Sequence, residues 1–268
     1  MELLIVLENW LSSCSACVKW KDVWSVCFGV NFGVRQGSVL SPYLFNIYLD
    51  DVASLNDCYK RTFVVIYADD ILLIAVTVTA LESLLRTCEK QLQFLDMSIN
   101  IKKSSCIRIG HRCNVTCASI TTCHGQPLQW VSEFRYLGVF IVSSRSFKCS
   151  LVHAKRSFYA AVNGLFGKLL NLASEEVILE LVRTKCNPIL LYGLECFHLG
   201  KADLQSLDFS FNRLCMKLFK TGSIDVVKEC QLCFGIDLPS RLLKKRQDTF
   251  LMRYNSTDNR FCRFCSKL

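Results

Sequence analysis

Two short apolar runs constrain this chain more than any other feature. Phe63-Val-Val-Ile66 and Ile71-Leu-Leu-Ile-Ala75 flank the four residues Tyr67-Ala68-Asp69-Asp70. Runs of this length, rich in β-branched residues, read as strands. Four residues leave room only for a tight hairpin turn. The spacing therefore predicts a β-hairpin, buried on both faces, with two adjacent carboxylates at its tip. Carboxylates beside a core call for a positive partner. Mg²⁺ at phosphoryl-transfer sites takes one or two carboxylates together with substrate phosphates. Asp is also an ordinary turn residue, so the pair by itself fits a plain turn as well.

Upstream stands Gly33-Val-Arg-Gln-Gly-Ser-Val-Leu-Ser-Pro42, followed by Tyr43-Leu-Phe-Asn-Ile-Tyr-Leu-Asp-Asp-Val52. The two glycines permit positive φ or a close backbone approach. Ser41 as cap and Pro42 at the first helical position predict a helix running to Val52. Leu44, Phe45, Tyr48, Leu49 and Val52 would form its apolar stripe. A Gly-rich loop feeding a helix N-terminus favours anions. Asp50-Asp51 echoes the hairpin pair but reads as solvated helix surface.

Charge is unevenly placed along the chain. Residues 1–129 hold 11 basic and 11 acidic residues, whereas residues 130–268 hold 21 and 12, which is the whole net charge of +9. A neutral half joined to a basic half suits contact with phosphates, although a solvated Lys-rich helical surface gives the same count. No apolar run is long enough to span a membrane, and Met1-Glu2 opens without the basic region of a signal peptide. The 17 cysteines are scattered and odd in number, which points to reduced thiols in an intracellular protein, nuclear or cytoplasmic rather than secreted.

The remaining elements are mostly helical. A short helix over Glu2–Leu11 precedes a hairpin that turns at Lys21-Asp22. Leu81, Leu84, Leu85, Cys88, Leu92 and Leu95 mark an amphipathic helix over 79–96. Asn100-Ile-Lys-Lys-Ser104 leads into a strand at Cys106–Ile109, and Phe134–Ile141 reads as a hairpin turning near Gly138. Helices are expected over 151–172, from a Ser174 cap to Asn187-Pro188, and over 203–218, with a basic cluster at Arg241–Arg246. Cys113, Cys117, Cys123 and His124 have irregular spacing. Cys230-x-x-Cys233 and Cys262-x-x-Cys265 stand farther apart than a zinc ribbon, so zinc is a minority reading at both places.

The ordered pair of Gly33–Pro42 and Tyr67-Ala-Asp-Asp70 resembles the reverse transcriptases of non-LTR retrotransposons. The resemblance covers roughly residues 1–200 and is strongest over 33–75. It implies an α+β fold: a partial polymerase palm over 1–142 and a mostly helical thumb over 143–268. In that family the fingers and the strand bearing the first metal-binding Asp lie before the segment at which this sequence opens. The resemblance therefore implies an N-terminally truncated chain, lacking that strand and weakly active or inactive alone. It assigns Asp69 and Asp70 to two Mg²⁺ ions and Lys103 to the leaving pyrophosphate. Arg35, Gln36, Gly37 and Tyr67 would line the nucleotide and template, and Tyr136-Leu137-Gly138 would grip the primer. RNA template, DNA primer and dNTP are the implied partners. A nucleic-acid-binding remnant, or a non-functional transposon-derived chain, is the alternative.

Overall fold

A computed structural model describes residues 2–30, 37–57, 59–169, 172–259 and 262. It is a mixed helix-and-strand protein that divides into two compact units, residues 1–99 with 120–126, and residues 100–119 with 127–268.

The first unit opens on the helix Glu2–Ser12. A small hairpin follows in two ladders. Lys19 pairs with Trp24 and Trp20 with Val23 around the Lys21-Asp22 turn, while Ser15 pairs with Gly29 and Ala16 with Phe28. Ser25 joins the ladders, its hydroxyl accepting from the Val18 N–H.

The expected single helix to Val52 is two pieces, Ser41–Tyr48 and Asp50–Ala53, broken at Leu49. Ser41 is not the cap either. It lies inside the helix behind Leu40, and no side chain caps that end. The break suits packing, since Leu49 and Val52 are both fully buried in the unit's core while Asp50 and Asp51 remain exposed.

The hairpin forms as the spacing requires. Thr62–Tyr67 and Asp70–Ala75 pair antiparallel from Thr62↔Ala75 to Tyr67↔Asp70. Its burial differs from expectation, because only one face enters the core. Val64, Ile66, Ile71 and Leu73 pack with Leu84, Cys88 and Leu92 of the helix Val78–Phe94. On the other face Ile74 is 42% exposed and Leu72 is half-buried. Among the described residues this is a two-stranded sheet with one helical layer, so a single face is covered. The Val78–Phe94 helix is capped by Thr77, whose side chain accepts from the Ala80 N–H.

In the second unit Glu133–Tyr136 pairs antiparallel with Val139–Val142, which pairs in turn with Lys148–Cys149. The strand expected at Cys106–Ile109 is only Ser105–Cys106, running parallel to Gln129-Trp130. The helical part is built around Phe158, Val182, Leu190, Leu207, Phe211 and Leu243. Its main helices are Leu151–Leu169, Glu175–Leu181, Lys201–Leu218, Ile224–Cys233 and Pro239–Ser256.

The helix expected to stop at Asn187-Pro188 continues. Val182–Cys186 forms a π-helical turn in which the Asn187 N–H donates to the Val182 carbonyl, and Asn187–Leu190 carries on. Pro188 has no N–H to donate, and widening the helix just before it removes the clash that would end a regular α-helix.

Cysteines follow the packing. Burial pushes the thiols of Cys88, Cys106, Cys149 and Cys215 each up to about 11, while Cys17, Cys27, Cys123 and Cys233 are exposed. Burial of this kind cuts the reactive thiolate about a hundredfold. Brief iodoacetamide treatment of the native chain near neutral pH should therefore label Cys17, Cys27, Cys123 and Cys233 first, as read by peptide mass spectrometry. Equal labelling of Cys88 and Cys27 would show that the first unit's core is open.

Candidate functional site

The hairpin turn consists of Ala68 and Asp69 alone. Ala68 adopts the left-handed region, with φ of 49°, which a two-residue loop between right-twisted strands favours. Tyr67 and Asp70 are a cross-strand pair and share one face of the sheet.

Tyr67, Asp69 and Asp70 are all exposed, Tyr67 at 63%. Neither carboxylate has an ion-pair partner among the described residues. The tip thus presents two hard oxygen donors to solvent. That donor set suits Mg²⁺ completing its shell with substrate phosphates and water. Among the described residues no group of three or more His, Cys, Asp or Glu side chains forms a closed cage.

The remaining sequence-derived positions fall in three places. Gly33, Arg35 and Gln36 lie outside the described residues; Gly37 is described, exposed, with φ of 80° and open space around it. Lys103 is an exposed residue of the second unit, in a turn where its N–H donates to the Asn100 carbonyl at 3.1 Å. Tyr136-Leu137-Gly138 also belongs to the second unit and forms a hairpin corner. Tyr136 pairs with Val139 across Leu137 and Gly138, at φ of 47° and 87°. Positive φ at both central positions marks the tight hairpin turns that match strand twist.

Sequence reasoning missed what holds this second hairpin. Tyr192 and Gly193 lie against its tip. A Cβ on Gly138 would stand 2.8 Å from Tyr192 Cε1, and one on Gly193, at φ of 68°, would stand 2.7 Å from Val139 Cγ2. Leu191 and Leu194 on either side are buried in the helical core. The Leu191-Tyr-Gly run was the available signal, since a glycine inside an apolar run marks close approach.

Gly138→Ala should cost about 1–2 kcal/mol, the usual penalty for an L-residue held left-handed. The exposed Tyr192 ring can swing aside, so Tyr192→Ala should rescue little of that loss in urea unfolding. Full rescue would place the strain in the ring contact rather than the backbone.

An exposed Asp-Asp hairpin beside a helical layer, with a second turn-tipped hairpin and a helical unit, makes a mixed α+β architecture. A family profile for reverse transcriptase (RNA-dependent DNA polymerase) matches residues 4–141, and the chain belongs to that family. It is similar to the RNA-directed DNA polymerase from mobile element jockey of Drosophila funebris, 26% identical over 184 residues, 63% of this chain and 19% of that protein. It is also similar to the retrovirus-related Pol polyprotein from type-1 retrotransposable element R2 of Popillia japonica, 30% identical over 185 residues, 61% of this chain and 24% of that protein. The chain thus spans about a fifth to a quarter of the length of these curated relatives. The resemblance to non-LTR retrotransposon reverse transcriptases, read from the Gly33–Pro42 and Tyr67–Asp70 blocks, is borne out.

Proposed function

We propose that the chain is the palm and thumb portion of an RNA-directed DNA polymerase, dividing functionally near residue 142. The observation that carries this reading is the Asp69-Asp70 tip on a two-residue hairpin turn, inside the segment matched by the reverse transcriptase profile.

The reaction is nucleotidyl transfer. The primer 3′-hydroxyl gives up its proton to solvent, its oxygen bonds to the α-phosphorus of a dNTP, the bond from that phosphorus to the α,β-bridging oxygen breaks, and pyrophosphate leaves with that oxygen. Asp69 and Asp70 would hold Mg²⁺, which supplies charge neutralisation for the attacking and leaving oxygens. Tyr67, one residue before the turn, would lie beside the nascent pair with Arg35, Gln36 and Gly37. Lys103 would neutralise charge developing on pyrophosphate, or give it a proton. Tyr136-Leu137-Gly138 would contact the primer backbone, where a glycine allows close approach.

With no third carboxylate grouped at the tip among the described residues, these 268 residues would bind the ions weakly and polymerise little unaided. A nucleic-acid-binding role is the second reading, carried by the concentration of excess positive charge in residues 130–268. Among the described residues no helix is long and apolar enough to cross a membrane.

The test is Mg²⁺-dependent extension of a DNA primer on an RNA template by a polypeptide containing this chain, with and without Asp69→Asn. Extension that survives Asp69→Asn would remove the hairpin from the chemistry.

A further inference from the structure

The second unit holds a cleft of about 420 Å³ between the Leu194–Cys196 turn and the Pro239–Ser256 helix. That volume lies within the roughly 300–1,000 Å³ of small-molecule sites. Lys245, Arg246 and Arg253 line it together with Glu195, Leu242 and Phe250. Three cations and one carboxylate meet in one small space, yet Glu195 pairs with none of them. Its Oε2 is buried and has no hydrogen-bond partner among the described residues.

The cations are not equivalent. Lys245 is drawn to Asp237, with Nζ 2.6 Å from Oδ2. Arg246 Nη1 donates weakly to the Leu191 carbonyl at 3.4 Å. Arg253 has no side-chain partner among the described residues and is exposed. The half-buried Phe250 ring, stacked on Tyr254 with centroids 6.1 Å apart, and Leu242 supply apolar surface.

A bare anion fits this cleft badly, because Glu195 would repel it. A ligand bearing both an anion and N–H or O–H donors fits each group. We propose that the cleft holds one unpaired nucleotide of an RNA strand. Its phosphate lies on Arg253 and Arg246, its base lies against Phe250 and Leu242, and base-edge or ribose donors meet the Glu195 carboxylate where it lines the cleft. Base pairing would hide the base face and edge, so the site selects single strands. This subsite is separate from the hairpin carboxylates, and it would hold a strand whether or not chemistry follows.

The test is fluorescence anisotropy of the full 268-residue chain with a short labelled single-stranded RNA and with a duplex of the same sequence. Arg253→Gln should weaken single-strand binding about tenfold, the scale of one charge-assisted contact, and Glu195→Gln about fivefold, with duplex binding little changed. Thermal unfolding of Arg253→Gln should match the parent, since that side chain is exposed, and the melting curve of Glu195→Gln shows that its affinity is read on folded protein. Tighter RNA binding by Glu195→Gln would mean simple charge attraction and overturn the proposal. Equal losses for single strand and duplex, or no loss with Arg253→Gln, would overturn it too. Loss of primer extension with these affinities intact would bear only on the hairpin reading.

Discussion

Primer extension by residues 1–268 on their own is expected to run about a thousandfold or more slower than by the same residues joined to a relative's segment that brings a third carboxylate to the hairpin tip. Asp69 and Asp70 stand exposed and side by side, with no third ligand grouped with them among the described residues. Mg²⁺ gives up water reluctantly and demands near-octahedral geometry, so two adjacent carboxylates recruit one ion weakly. Nucleotidyl transfer gains most when the attacking and leaving oxygens are both clamped. Losing the ion on the attacking oxygen should cost several kcal/mol, which is the thousandfold. Asp69→Asn in the joined chain should then abolish extension. Robust extension by the 268 residues alone, lost on Asp69→Asn, would show that this chain completes its own site.

Affinity of the chain for an RNA–DNA hybrid should fall about a hundredfold as monovalent salt rises from about 50 to 200 mM, as expected when roughly four phosphates are neutralised. Residues 130–268 carry the whole excess of positive charge. In the Pro239–Ser256 helix, Arg241, Lys244, Lys245 and Arg253 are all exposed. Exposed charges of this kind bind by releasing counterions and gain little from each other. Reversing Arg241 and Lys244 to Glu should flatten the dependence of log affinity on log salt by about two contacts. A salt-independent interaction would mean that the basic half does not meet the phosphates.

The elements legible in advance are those whose pattern closes within a few residues. The Tyr67–Asp70 hairpin follows from two β-branched runs too close together for any other connection, and the Val78–Phe94 helix from its apolar spacing. Family membership was legible because two motifs stand in order at a fixed separation. The Leu151–Leu169 helix was foreseen as an element, while its buried residues, Leu151, Phe158, Val162 and Phe166 with Ala161 and Leu165 packed beside them, follow from the helices around it.

Sequence by itself determined the turn that exposes Asp69, because strand twist and loop length are local properties of the backbone. It determined the amphipathic helices for the same reason. Tertiary structure alone decided which hairpin face is covered, since that depends on the helices Val78–Phe94 and Asp50–Ala53 packed against it. It also carried the chain through Pro188, where burial of Leu190, Leu191 and Leu194 favours a π-turn over a helix end. The seating of Tyr192 on Gly138, and of Glu195 among Lys245, Arg246 and Arg253, joins residues about fifty positions apart. No periodicity encodes such meetings. They arise only when dense packing of a core fixes which surfaces are left facing each other.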